Sequence, residues 1–165
     1  MYKNYLWATQ RAHYNKKAQP YEGCLLCGVA QNAKGVIKKI VYQDKKVMVI
    51  LNVFPYNTGH VQVVPIRHVE NLEDLSDEER NYLFTMVNKT IMLLKKTFNP
   101  AGINMGMNIG GDVSGASIAH IHVQIVPRYK RDIGFMEALA DTRVMSKSLD
   151  DILKQLKKNV DVLKK

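Results

Sequence analysis

The chain has 165 residues, of which 46% are hydrophobic and 24% are charged. This balance predicts one globular domain with a substantial core, and it excludes a disordered chain, a collagen-like chain and a disulfide scaffold. The net charge is +9, but the lysines are scattered and form no stripe interleaved with aromatic residues. We therefore expect a solvated basic surface with a modest attraction for polyphosphates, and we do not expect nucleic acid as the partner.

The compartment is predicted from three sequence features. The first ten residues, MYKNYLWATQ, contain no apolar run of the kind found in signal peptides. The uncharged stretch 47–66 is interrupted by Asn, Pro, Gly and His residues, so it does not predict a membrane helix. Two cysteines are too few for an extracellular disulfide framework. We expect a cytoplasmic protein without a membrane partner.

The first half of the chain predicts an arm, a knuckle and three strands. Residues 1–20 are polar and basic and are predicted to form an irregular N-terminal arm, and residues 23–28 form a compact knuckle. Strands are predicted at 36–43 and 47–53, and the second is so apolar that we expect it to be covered on both faces. A further strand at 60–64 is predicted to run antiparallel to it.

The second half predicts a long helix, two strands and a C-terminal helix. The long helix begins at Ser76, which forms a capping-box pattern with Glu79, and it ends at Asn99-Pro100. The remaining elements are strands at 103–109 and 118–126 and an amphipathic helix at 148–163. Strands with one long helix between them predict an α+β fold with an antiparallel sheet.

Side chains that can take part in a reaction alternate with apolar side chains along the predicted strand that follows the Gly-rich loop 110–117. Alternate strand residues share a face, so His120, His122 and Gln124 are predicted to project together. A neutral imidazole at position 122 can attack phosphorus through one ring nitrogen while a backbone carbonyl holds the other. Gln124 can donate an amide N–H to a phosphoryl oxygen, and Ser117 and the loop N–H groups can stabilise charge there.

Two motifs carry a family resemblance. SIAHIHVQIVPR at 117–128 resembles the signature of the histidine triad superfamily of nucleotide hydrolases and transferases. LNVFPYNTGHVQVVP at 51–65 resembles the nucleotide-binding hairpin of that superfamily, and segments 134–136 and 140–144 are similar to the bacterial branch that includes diadenosine tetraphosphate phosphorylases. The resemblance implies an enzyme that cleaves phosphoanhydrides of nucleotide substrates.

The resemblance also implies a domain organisation. It covers roughly residues 20–145, so residues 21–145 are expected to form the catalytic domain. The arm 1–20 precedes this domain, and residues 146–165 form the amphipathic helix of the same domain. Because the superfamily commonly forms homodimers, the resemblance implies a homodimer.

Roles for individual side chains follow from the resemblance. His122 corresponds to the nucleophile of the motif, and His60 is expected beside it as a second catalytic group. Asn52 is expected to contact ribose, and Asn108 and Ser117 are expected to contact phosphate.

The third position of the motif is Gln124 rather than a third histidine. The nucleotidyltransferase and phosphorylase branches, such as galactose-1-phosphate uridylyltransferase, carry Gln there. A neutral amide cannot move a proton at pH 7, so this residue favours inorganic phosphate over water as the acceptor. A hydrolase of the same fold, in which His60 or another group activates water, is the first alternative, and a nucleotide- or RNA-binding protein with little turnover is the second.

Cys24 and Cys27 have the C-x-x-C spacing that suggests metal or redox use. In zinc-bearing members of the superfamily, the positions of His68 and His120 complete the site, so the resemblance implies a structural zinc held by these four residues. Two ordinary buried thiols and a thioredoxin-like redox pair are the alternatives. Mg²⁺ can accompany a polyphosphate substrate, although no carboxylate pair marks a dedicated site.

Overall fold

The computed structural model describes residues 21–110, 114, 118–130, 132, 139–140 and 145–164. The predicted N-terminal arm, Ser117 and the segment 134–136 lie outside these residues, as do residues 141–144.

A five-stranded antiparallel sheet forms the centre of the molecule, with the strand order β1-β2-β3-β5-β4. This arrangement confirms the predicted α+β class. The elements in chain order are α1 (Leu25–Ala30), β1 (Ile40–Gln43), β2 (Val47–Leu51), β3 (Val61–Pro65), α2 (Asp77–Phe98), β4 (Gly102–Gly106), β5 (Val123–Arg128) and α3 (Leu149–Lys158), with 3₁₀ turns at Leu72–Asp74 and Val160–Leu163.

Strand β2 is buried along its whole length. Val47, Val49 and Leu51 belong to the main core, which also contains the buried residues of α2 and α3. Met48 and Ile50 point to the opposite face, where they pack with α1 residues. Because consecutive strand residues face opposite sides, a strand covered on both sides needs an unbroken apolar run. The prediction for this strand is therefore confirmed.

Both helices on the main core face begin at a serine cap. The side chain of Ser76 accepts from the Glu79 N–H and the Glu79 carboxylate accepts from the Ser76 N–H, which completes the predicted capping box. The helix ends at Asn99, whose φ of 45° is left-handed, as is common for a residue that terminates a helix. Among the described residues, no helix is both long and apolar enough to cross a membrane.

The C-terminal segment packs on the same core as the sheet. Ile152 and Leu156 of α3 and Leu163 of the following 3₁₀ turn are buried among residues of α2 and the strands. The predicted helix over 148–163 is divided, because α3 ends at Lys158 and the 3₁₀ turn begins at Val160.

The largest correction concerns the strand predicted over 118–126, since β5 begins only at Val123. The pairing of β5 with β3 stops at Val63 opposite Val123, and the same register would place Ile121 opposite Pro65. Proline has no N–H with which to continue the ladder. The Ile121 N–H instead donates to the Val69 carbonyl at 2.7 Å, so the chain leaves the sheet there.

The other strands also differ from their predicted limits. β1 begins at Ile40 rather than at residue 36, and β4 ends at Gly106 rather than at residue 109. β2 ends at Leu51 because the next residue, Asn52, turns the chain: its side-chain oxygen accepts from the Phe54 N–H at 2.9 Å. The knuckle predicted at 23–28 contains the first turns of the short helix α1.

Gly59 in the loop between β2 and β3 has a steric requirement for glycine. Its φ is +81°, and an added Cβ would lie 2.9 Å from the Phe98 ring. We expect Gly59→Ala to lower the free energy of unfolding by about 2 kcal/mol, because it combines a left-handed backbone with a clash. Chemical denaturation measures this change.

Gly106→Ala is the matched control, because the φ of Gly106 is not positive and an added Cβ meets nothing within 4 Å. Equal unfolding free energies for the two variants would contradict the steric argument.

Candidate active site and metal centre

The loop that joins β2 to β3 closes around the ring of His60. The Asn52 N–H donates to the His60 carbonyl at 2.9 Å, which ends the hairpin ladder. The Tyr56 N–H donates to His60 Nδ1 at 3.1 Å, and the Tyr56 ring stacks on the imidazole with centroids 5.0 Å apart. The Asn52 Nδ2 atom lies 3.3 Å from Nδ1 and 3.4 Å from Nε2 of the same ring.

His60 is completely buried and neutral at pH 7. Burial, which penalises the charged ring, and the nearby His122 together lower its pKa to about 4, against the opposing effect of a hydrogen bond with the Gln124 side chain. His122 and Gln124 therefore both lie near His60. The structure thus brings together the three residues that the sequence predicted as catalytic.

His122 is 7% exposed and its ring is held by one backbone group. The Nδ1 atom lies 2.9 Å from the carbonyl oxygen of His120. A carbonyl only accepts hydrogen bonds, so Nδ1 carries the ring proton and Nε2 carries the lone pair. Gln124 follows two residues later within β5.

The predicted nucleotide-binding residues have different surroundings. Asn52 contacts His60, and its side-chain oxygen is occupied by the turn. Asn108 follows β4 and is half-buried, and Ser117 lies outside the described residues. The contacts of these residues with ribose or phosphate stay predictions.

His120 does not share a strand face with Gln124 as predicted, because His120 and His122 both precede β5. Its ring is directed to the cysteine pair, with Nδ1 3.3 Å from Cys24 Sγ and 3.6 Å from Cys27 Sγ. The alternation of a regular strand therefore does not describe this segment.

Cys24, Cys27, His68 and His120 form a cluster whose ligand atoms all lie within 4.8 Å of one another. Cys27 Sγ is 3.4 Å from His68 Nδ1, close to the 3.3 and 3.6 Å separations between the thiols and His120. A tetrahedral ion with metal–sulfur bonds of about 2.3 Å and metal–nitrogen bonds of about 2.0 Å requires sulfur–nitrogen separations of about 3.5 Å. The four side chains therefore fit a metal ion of this size.

Both histidines of the cluster have an acceptor near the ring nitrogen that faces away from the thiols. His120 Nε2 lies 3.0 Å from the Pro65 carbonyl oxygen, so Nε2 carries the proton and Nδ1 is left as the lone pair facing the thiols. His68 Nε2 lies 3.5 Å from a Glu70 carboxylate oxygen. Such partners orient metal-binding histidines in many proteins.

The titration behaviour of the cluster also fits a cation. Burial, and then the neighbouring His68, lower the pKa of His120 to about 4, so its ring is neutral and able to coordinate. Burial and the adjacent Cys24 thiol raise the pKa of Cys27 to about 11. Two thiolates side by side are therefore unfavourable unless a cation neutralises them.

Several functional contacts were missed by the sequence reasoning. Tyr56 and the Pro65 carbonyl hold His60 and His120 through backbone groups, which no residue pattern identifies. Asn57 is 7% exposed and donates to the Pro127 carbonyl and to Asp132, each at 3.0 Å, so it ties the loop to the end of β5. The Pro and Asn residues of this turn were visible in the sequence, but their partners were not.

Comparisons with known proteins agree with this geometry. A model of the HIT domain matches residues 34–131. The chain is 33% identical over 156 residues to the AP-4-A phosphorylase of Mycobacterium tuberculosis, covering 88% of this chain and 78% of that protein. It is 37% identical over 94 residues to the asymmetrical bis(5'-nucleosyl)-tetraphosphatase of Schizosaccharomyces pombe, covering 57% of this chain and 51% of that protein.

The fold is also that of a solved structure. A hypothetical histidine triad nucleotide-binding protein from Sulfolobus tokodaii strain7 superposes with a TM-score of 0.71 at 24% identity, covering 86% of this chain and 94% of that one. The HIT model matches more than half of the 165 residues. The resemblance predicted from the His-x-His-x-Gln motif and the upstream hairpin is confirmed, and the chain belongs to the HIT domain family of histidine triad proteins.

Proposed function

We propose that this protein is an enzyme that transfers a nucleotidyl group from a dinucleoside polyphosphate, such as diadenosine tetraphosphate, to inorganic phosphate through a covalent intermediate on His122. The observation that carries the proposal is the hydrogen bond from His122 Nδ1 to the His120 carbonyl, which leaves Nε2 as a fixed lone pair. The relatives named as a phosphorylase and as a tetraphosphatase support phosphoanhydride substrates.

The first step is a displacement at phosphorus. The Nε2 lone pair of His122 attacks the phosphorus atom of the nucleotidyl group and forms a P–N bond, while the P–O bond to the rest of the polyphosphate breaks and the leaving oxygen takes its electron pair. For diadenosine tetraphosphate, the leaving group is ATP. The His120 carbonyl stabilises the positive charge that develops on the ring, because it accepts a hydrogen bond from Nδ1–H.

The second step releases the nucleotidyl group. An oxygen of inorganic phosphate attacks the same phosphorus atom, the P–N bond breaks, and the electron pair returns to Nε2. With an adenylyl group this step yields ADP. An anionic phosphate oxygen is already a nucleophile at pH 7, whereas water must lose a proton as it attacks.

The surroundings of His60 favour phosphate over water as the acceptor. Its Nδ1 lone pair is occupied by the Tyr56 N–H, and its pKa is lowered to about 4 by burial. A ring with so little basicity is a poor acceptor for a proton from water. The Gln124 amide cannot accept that proton at all. The hydrolase alternative would therefore need a base other than these two groups.

We also propose that Cys24, Cys27, His68 and His120 hold a structural zinc ion. The support is the spacing of the four side chains and the hydrogen bond of His120 Nε2 to the Pro65 carbonyl. A bound zinc would crosslink α1 to the segment before β5, without entering the reaction. His120 belongs to this cluster through its side chain and holds His122 through its carbonyl, so the crosslink would also fix the nucleophile.

Other predictions from the sequence stay predictions. A homodimer is supported by β4, an edge strand with mostly exposed residues, since such an edge can pair with a second chain. Three further predictions rest on the sequence: a cytoplasmic location, the use of Mg²⁺ with the substrate, and boundaries of the catalytic domain at residues 20 and 145.

The acceptor is tested by the products formed from diadenosine tetraphosphate. We expect equal amounts of ADP and ATP when inorganic phosphate is present, and no more than one equivalent of ATP per enzyme in its absence. His122→Ala is expected to lower turnover by on the order of a thousandfold or more, because the covalent step is lost. Lys96→Ala, on an exposed part of α2, is the control and should leave turnover unchanged.

Two other results would contradict the phosphorylase proposal. AMP and ATP formed without phosphate would indicate the hydrolase. Salt-sensitive binding of RNA that survives His122→Ala, without any cleavage, would indicate a binding protein.

The zinc proposal is tested by metal analysis and by stability. We expect about one zinc per chain in the purified protein. Cys24→Ser should abolish this zinc and lower the free energy of unfolding by about 3 kcal/mol or more, because metal binding contributes directly to folding. Ala30→Ser, at the C-terminal end of α1, whose N-cap is Cys24, is the control for introducing a serine into this segment.

A metal-free folded protein in which both thiols react freely with an alkylating reagent would overturn the zinc proposal. This result would leave the phosphorolysis assay unaffected.

A further inference from the structure

The surroundings of His60 determine which of its ring nitrogens carries the proton. The Tyr56 backbone N–H donates to Nδ1 at 3.1 Å, and a backbone N–H cannot reverse its role. The oxygen of the Asn52 side chain accepts from the Phe54 N–H, so its NH₂ group is the part that faces the ring, 3.3 Å from Nδ1. The same NH₂ group lies 3.4 Å from Nε2, so it does not distinguish the two nitrogens. The Tyr56 N–H does: Nδ1 accepts from it and has no proton, so Nε2 carries the proton of the neutral ring.

This tautomer dictates the orientation of Gln124. Gln124 lies opposite Gln62 of β3, two residues beyond His60, and a hydrogen bond with the Gln124 side chain raises the pKa of His60 against the effect of burial. The Nδ1 atom is already occupied by Tyr56. The bond must therefore run from His60 Nε2–H to an acceptor on Gln124, and the only side-chain acceptor there is Oε1. The NH₂ group of the amide is then turned away from His60.

We propose that His60 is a positioning residue that orients the Gln124 amide, so that Oε1 is held by His60 and the NH₂ group is presented to the phosphoryl oxygens of the nucleotide on His122. The contact with the phosphoryl group rests on the proposed function, whereas the orientation of the Gln124 amide is a property of the free protein. His60 then acts through Gln124 rather than by moving a proton.

The arrangement explains how an amide can serve at the third position of the motif. An amide accepts at one atom and donates at the other at the same time, and neither role changes with pH. Its orientation is ambiguous unless a neighbour distinguishes the two ends. A buried imidazole locked by a backbone N–H provides that distinction, because it presents a donor and no acceptor.

Two substitutions of His60 distinguish the roles of its two ring nitrogens. In the variant His60→Gln, the amide NH₂ group reaches the position of Nε2 and can still donate to Gln124. In the variant His60→Asn, the shorter side chain reaches only the position of Nδ1, so the donor to Gln124 is lost. We expect His60→Asn to lower kcat by about a hundredfold, the effect of losing one oriented donor at the reacting phosphate, with little change in KM. His60→Gln should retain kcat within about tenfold of the wild type.

A proton-transfer role for His60 predicts equal losses of kcat in the two variants, since neither substituted side chain titrates. Equal losses of kcat in the two variants, or a larger loss in His60→Gln, would overturn the proposal. Thermal unfolding of both variants identifies any loss that comes only from misfolding.

The tautomer itself is measured on the wild-type protein, without substrate, by ¹⁵N NMR of labelled histidine. We expect His60 to show an unprotonated Nδ1 and a protonated Nε2. A proton on Nδ1 would overturn the proposal whether or not the variants fold. Because this measurement needs no turnover, its result is independent of whether the protein proves to be a phosphorylase.

Discussion

The hydrogen bond between His122 Nδ1 and the His120 carbonyl is the contact on which the rest of the site depends. It joins the proposed nucleophile to a residue with two further attachments. The His120 ring donates to the Pro65 carbonyl at the end of β3 and faces the thiols of Cys24 and Cys27. The end of β3, the Cys₂His₂ cluster and the proposed nucleophile are therefore connected through one residue.

The two imidazoles of the site are fixed in opposite tautomers by backbone groups. A carbonyl that can only accept places the proton of His122 on Nδ1, and an N–H that can only donate places the proton of His60 on Nε2. Neither assignment relies on a titratable partner. Such a site suits group transfer to an anionic acceptor better than activation of water, because water requires a base with a free lone pair.

The sequence predicted the parts of the molecule that local patterns control. The apolar run of β2 follows from its burial on both faces, and the cap at Ser76 follows from local hydrogen bonding. The start of β5 was not predictable in the same way. Pro65 was visible, but its position opposite Ile121 depends on strand register, which local sequence does not specify. The tautomers of His60 and His122 likewise depend on backbone groups that only the folded chain brings near.

The central claim is that Nε2 of His122 becomes covalently bonded to phosphorus during each turnover. The most direct test uses diadenosine tetraphosphate that is labelled on the adenine ring. The enzyme is mixed with this substrate, denatured rapidly without acid, and analysed by peptide mapping. The account predicts an acid-labile adenylyl group on His122, discharged to ADP when inorganic phosphate is added before denaturation. Label on another residue, or none in an enzyme that still turns over, would contradict the account.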